Sequence, residues 1–109
     1  MADMRVNLAG VALKNPVTMA SGTFGFGREY GQLYDIDRLG GISVKGLTPR
    51  LRAGNPSPRI AETPMGMLNS VGLQNPGVDA FIAHELPELK KHDLATIAKI
   101  SGSNPEEYG

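Results

Sequence analysis

A chain of 109 residues has room for one small domain, and 40% hydrophobic content is ordinary for a packed core. Lys and Arg number 11, as do Asp and Glu, so zero net charge gives no general pull toward nucleic acid or an anionic membrane. Without Cys there is no disulfide framework, thiolate nucleophile or thiolate metal site; a reducing cytoplasm fits, although zero Cys permits other compartments too. No apolar run approaches the roughly 20 residues of a membrane span, and Met1–Val6 does not read as a signal peptide.

Val6-Asn7-Leu8 and Val11-Ala12-Leu13 flank Ala9-Gly10, which predicts a hairpin with glycine in its turn. Asn15-Pro16 leads into Val17–Ala20, a short buried strand ending at Ser21-Gly22. A glycine-rich loop and a weak helix over Arg28–Tyr34 follow. Gly41–Val44 is the next strand, ending at Lys45-Gly46. From Leu47 to Val71, with Pro49, Pro56, Pro58 and Pro64, the expectation is one long functional loop.

Val78, Phe81, Ile82, Leu86 and Leu89 share one helical face, and Pro87 is expected to break or kink that helix near Leu86. Ala95–Ile100 forms a further strand, ending at Ser101-Gly102. Alternating strands and helices predict an α/β fold with a parallel sheet, whose covered strands read as short apolar runs. Asn104 as N-cap, Pro105 at the first helical position and Glu107 at the third begin another helix. A helix started so near the last residue predicts a longer parent protein.

Two segments concentrate polar groups beside glycines after an apolar run: Val44–Thr48 and Met67–Gly77. Such segments bring backbone close to a small planar ligand while a few side chains orient it. Asn69 and the N–H groups around Gly72 suit a carboxylate or an imide, although the same composition also builds plain turns. Lys45 falls at the C-terminal end of a strand, where β/α barrels carry their sites; an isolated Lys there is more often a solvated surface residue. Gly22, Gly25 and Gly27 reverse the spacing of a dinucleotide fingerprint and read as a flexible loop. Arg38 through Arg59 hold five basic residues and no acid, which fits a solvated loop or a rim for an anion or a partner. His84 and His92 have no carboxylates arranged around them, and no metal is assigned.

Asn15-Pro16, Ala20-Ser21-Gly22, Phe24–Gly27, Val44-Lys45-Gly46, Glu62-Thr63-Pro64 and Asn69–Gly77 follow in the order and spacing of dihydroorotate dehydrogenase. The chain most resembles the cytosolic, NAD-linked, two-subunit class, in its catalytic subunit, and the resemblance runs from Val6 to the end. It implies that residues 1–109 are the N-terminal portion of an FMN-binding (β/α)8 TIM barrel preceded by a β-hairpin. A complete barrel has eight strands and about 250 residues, and only about three barrel strands are visible here.

The resemblance also implies oxidation of dihydroorotate to orotate in de novo pyrimidine (UMP) biosynthesis, with FMN taking the hydride. Lys45, Asn69, Ser70, Val71, Gly72 and Leu73 would bind substrate; the Asn69 amide can match the donor–acceptor edge of a pyrimidine. Ala20, Ser21, Gly22, Lys45, Gly46 and Lys99 would bind FMN. The family usually has Asn where Lys99 stands, and Lys donates hydrogen bonds but accepts none. The catalytic base, a Cys of a later loop, lies beyond residue 109, so the isolated chain is expected to be inactive. Implied partners are a second copy and an electron-transfer subunit, whose FAD and iron–sulfur cluster pass electrons to NAD. A non-catalytic, partner-binding fragment is one alternative. A related flavin enzyme, such as dihydropyrimidine dehydrogenase or a tRNA dihydrouridine synthase, is another, although neutral charge speaks against a tRNA substrate.

Overall fold

The computed structural model describes residues 2–108; Met1, where the signal-peptide reading began, lies outside them. The chain opens with β1 (Val6–Leu8) and β2 (Val11–Leu13), an antiparallel hairpin that pairs Leu8 with Val11. Ala9 and Gly10 both have positive φ, 49° and 92°, the requirement of the tight turn that matches strand twist. Asn7 Oδ1 accepts from Gly10 N–H at 2.8 Å and locks that turn.

β3 (Thr18–Met19), β4 (Gly41–Ser43) and β7 (Ala95–Ile97) form a parallel sheet with β4 in the centre. This is the expected α/β arrangement, with shorter strands than the apolar runs predicted. A parallel bridge between Leu47 and Ile100 continues the β4–β7 pairing beyond the named strands. The first crossover carries α1 (Arg28–Gly31) and a 3-10 turn at Ile36–Arg38. The second carries a helix with three parts: α2 (Val78–Ala80), a π segment (Phe81–Glu85) and α3 (Leu86–Leu89).

Pro87 does not end that helix. The π turns directly before it, in which Leu86 N–H reaches Phe81 O, take up the misfit of a residue that cannot donate. Of the predicted apolar face, Phe81 and Leu89 are buried but Ile82 is exposed, because widening the turns rotates it off the core side.

The long-loop expectation for Leu47–Val71 needs correction. β5 (Ile60–Thr63) and β6 (Gly66–Asn69) pair as an antiparallel hairpin around Pro64-Met65. Both strands are exposed throughout, so no alternation of apolar and polar residues announces them. Pro64 sits in the turn, where no ladder hydrogen bond is lost.

Core and sheet meet at the middle strand. Ile42 and Val44 are fully buried, packed with Phe24, Ile36, Leu39, Leu47, Phe81 and Leu89. Each such side chain contributes about 1.5–3 kcal/mol by leaving water. At the end where the strands begin, Lys14 after the first hairpin binds Asp93 just before β7, and Asn15 Nδ2 donates to Arg38 O at 3.0 Å. The opposite end is left for a site. The predicted helix start after residue 103 is a 3-10 turn, Pro105–Tyr108, with Asn104 Oδ1 accepting from Glu107 N–H at 3.1 Å.

Candidate functional site

The C-terminal ends of β3 and β4 are tied by one hydrogen bond, in which Ser21 Oγ donates to Val44 O at 2.7 Å. That bond holds Ser21-Gly22 beside Lys45, the residue after buried Val44. Gly22 has φ of 81°, the left-handed region that favours glycine, and a Cβ there would be in ordinary contact with Lys45 Nζ at 3.6 Å, which places the ammonium beside this turn. Ala20 O accepts from the Thr23 hydroxyl at 2.7 Å, which turns the chain away from the sheet. Phe24 is buried and stacks on Tyr30 with ring centroids 4.4 Å apart. The glycine-rich loop is therefore anchored by an aromatic side chain between flexible residues.

A cleft of about 710 Å3 opens beside these strand ends, within the range of small-molecule sites. Gly22, Phe26 and Lys45 line one side; Arg52, Val71, Gln74 and Asn75 line another. Its positive groups are Lys45 and Arg52, and its negative groups are Glu29 and Glu85. Arg28 Nε stands 3.0 Å from Glu85 Oε2 but out of line for a hydrogen bond; its Nη2 donates to His84 O at 3.1 Å. Negative charge at the Glu85 edge is thus partly balanced by Arg28, which leaves the Lys45 edge as the place for an anion.

The segment after β6 forms the second wall. Gly72 and Leu73 both take positive φ, 75° and 56°. For Leu73 this is a strained conformation, so neighbours must hold it. Asn55 N–H donates to Val71 O at 3.1 Å, and Asn55 Nδ2 donates to Ser70 O at 3.1 Å and Ser70 Oγ at 2.8 Å. A Cβ on Gly72 would come within 2.6 Å of Asn55 Cγ, so only glycine fits. Arg59 braces the same region, donating to Asn55 O at 2.6 Å, Ala53 O at 3.0 Å and Gln74 Oε1 at 2.6 Å.

Asn75 is 5% exposed, and both polar atoms of its side chain are hydrogen-bonded. Its Oδ1 accepts from Thr48 N–H and Gly77 N–H, both at 3.0 Å, and its Nδ2 donates to Leu73 O at 2.9 Å. Its backbone pairs with Arg52 in both directions, at 2.9 and 3.0 Å. Leu73 then lies over the Lys45 strand exit: its Cδ1 is 3.0 Å from where a Cβ on Gly46 would stand.

Of the expected residues, Gly22, Lys45 and Val71 line the cleft; Ser21, Gly46, Gly72 and Leu73 are outside the lining but lie within two residues of these three in the chain, with Ser21 bonded to Val44 O and Leu73 packed over Gly46. Asn69 sits elsewhere, exposed at the end of β6 opposite Ile60, outside the cleft lining. Ser70 faces Asn55. Ala20 and Lys99 are also outside the lining; Lys99 contributes its carbonyl, which accepts from Leu47 N–H at 2.8 Å. Asn55, Arg59 and Asn75 were not singled out by sequence reasoning. Asn next to Pro in Asn55-Pro56 and Asn75-Pro76 was the available signal, and it reads equally as a turn.

The family model for dihydroorotate dehydrogenase matches residues 3–109. The catalytic subunit of dihydroorotate dehydrogenase B (NAD(+)) from Thermoanaerobacter sp. (strain X514) is 59% identical over 106 residues, 97% of this chain and 35% of that protein. Its namesake from Bacillus cereus (strain B4264) is 55% identical over 108 residues, 99% of this chain and 35% of that protein. The chain spans 35% of the length of these curated relatives. A crystal structure of Eimeria tenella DHODH in complex with ferulenol superposes with a TM-score of 0.66 at 23% identity, covering 92% of this chain and 29% of that one. The ligand-free Eimeria tenella structure gives 0.60 at 24% identity, over 95% and 32% of the two chains. At those identities the likeness speaks for a shared fold. With nearly every residue matched by the family model, the chain belongs to the dihydroorotate dehydrogenase family.

Proposed function

We propose that residues 1–109 are the N-terminal portion of an FMN-binding (β/α)8 barrel, and that the complete protein oxidises dihydroorotate to orotate in pyrimidine biosynthesis. The observation that carries this reading is the position of Lys45. It stands at the C-terminal end of the central parallel strand, beside Gly22 and on the rim of a cleft of small-molecule size.

The residues present fit one edge of a flavin. An ammonium, the positive-φ turn at Gly22 and an open cleft meet where a planar ring with an electron-rich carbonyl edge can be held. When bound, FMN supplies the hydride acceptor. Lys45 offers positive charge to that edge and to the carboxylate of the substrate. Gly22 and Gly46 keep the approach free of side chains. The Asn69–Leu73 segment orients the pyrimidine, and Val71 and Phe26 offer apolar lining to the ring in the open cleft.

Proton removal is assigned to a later loop of the complete protein. Electrons leave, in this reading, through a partner subunit that carries FAD and an iron–sulfur cluster to NAD, with the catalytic subunit as a homodimer in the cytoplasm. The 59% identity to a protein named as a catalytic subunit of the NAD(+) type supports a partner subunit and NAD as the acceptor. The test is to extend the chain to the length of its relatives, purify it with FMN and supply dihydroorotate. Orotate formation with bleaching of the flavin absorbance is expected; a yellow protein inert to dihydroorotate would contradict the reading.

A further inference from the structure

We infer that Asn55 and Asn75 are a pair of positioning residues that clamp the strained Gly72-Leu73 turn against the strand exit at Lys45-Gly46. The inference rests on the functional reading above, because it assigns this turn to the substrate pocket. It adds two side chains that do not themselves have to touch the ligand.

Two adjacent residues with positive φ, one of them Leu73, do not stay in place unaided. Asn55 takes the first side of the turn, bonding Ser70 O, Ser70 Oγ and Val71 O, and its body fills the space beside Gly72. Asn75 takes the other side, donating to Leu73 O. With its Oδ1 it accepts from Thr48 N–H, three residues beyond Lys45, so the turn and the lysine strand share one fixed reference. Each amide uses a donor toward the turn, which makes Asp the informative replacement. A carboxylate keeps the size and the acceptor but sets a repulsive oxygen against Leu73 O or Ser70 O.

The two sites differ in risk. Asn75 is buried and part of the local backbone ladder, whereas Asn55 is exposed and its loss leaves the core untouched. Agreement between them separates clamping from general stability.

The experiment uses the full-length, FMN-loaded subunit, with Asn75→Asp and Asn55→Asp each compared with wild type. Two readouts are taken: orotate affinity from the flavin absorbance, and hydrogen exchange of the peptide spanning Asn69–Pro76. Both variants should bind orotate about tenfold more weakly or worse, the effect of one lost polar interaction. FMN affinity should stay within about twofold, and exchange should accelerate in that peptide while β4 and β7 remain protected. Unchanged exchange and affinity in both variants overturns the clamp. So does global loss of protection in Asn75→Asp together with wild-type behaviour of Asn55→Asp. If wild type binds no orotate, the functional reading fails, and the exchange comparison still decides whether the two residues hold the turn.

Discussion

Ser21 Oγ donates to Val44 O across the ends of two parallel strands, at 2.7 Å, one residue before Lys45. The bond adds a side-chain rung where the backbone ladder of β3 and β4 has already stopped. Ser21→Ala in the full-length protein should cost about 0.5–1.5 kcal/mol, the usual worth of one such bond. FMN affinity should fall with it, since Gly22 is then free to drift from Lys45. Thermal unfolding and flavin titration measure both; a variant identical to wild type in each would show that the rung does not position the site.

Asn69 is exposed on β6 and outside the cleft lining, yet the family resemblance assigns it to the substrate. Asn69→Ala should weaken orotate binding by about 1–3 kcal/mol, the cost of leaving polar ligand groups unpaired. Stability should hardly change, because no core contact is removed. Equal orotate affinity in variant and wild type would leave Asn69 as a strand-end residue only.

A pH effect follows from the turn before β7. Asp37 accepts from Asp93 N–H at 2.7 Å and faces His92 Nδ1 at 3.1 Å. The His92 hydrogen bond first, and the Asp93 N–H second, hold its carboxyl below the usual carboxylate value. A lowered folded-state pKa contributes stability above about pH 4, and that contribution is lost as pH falls through the lowered value. Asp37→Asn should therefore lower the Tm at neutral pH and converge with wild type in strong acid. Parallel Tm curves across the acid range would contradict this.

How far the sequence could be read depends on which forces were local. β3, β4 and β7 were legible as short apolar runs at Val17–Ala20, Gly41–Val44 and Ala95–Ile100, although only β4 is buried in this chain and β3, expected to be a buried strand, is half-buried to exposed like β7. Their ends put Lys45 in view before any coordinates. β5 and β6 were invisible because neither face is buried, and periodicity records only burial. Pro87 marked the irregularity near Leu86, though not its form: the helix is interrupted by a π segment and then continues through Leu89 rather than ending. Asn55 escaped because Ser70 lies 15 residues away; the Asn75 side chain bonds Leu73 and Gly77 locally, as a plain turn Asn does, and only its tie to Thr48, 27 residues away, requires the folded chain.

The 109-residue chain on its own presents β3 and β7 as open edges of a three-stranded parallel sheet. Leu33, Leu51 and Met65 add exposed apolar surface. Unpaired edges favour association, and backbone ordering costs about 1–2 kcal/mol per residue against a small core. Made alone, it should aggregate or remain partly unfolded, with no bound FMN. Size-exclusion chromatography with a visible spectrum decides; a soluble monomer with one FMN per chain would refute the prediction.

In the proposed reading Lys45, held by the Ser21–Val44 tie beside Gly22, stands where negative charge develops during flavin reduction. The most direct measurement is anaerobic stopped-flow reduction of the full-length, FMN-loaded subunit by dihydroorotate, comparing wild type with Lys45→Ala. The variant should fold, keep a Tm close to wild type, and reduce its flavin at least about a hundredfold more slowly, as for other lost electrostatic stabilisers of a transition state. Reduction within about twofold of wild type, with FMN bound in both, would contradict it.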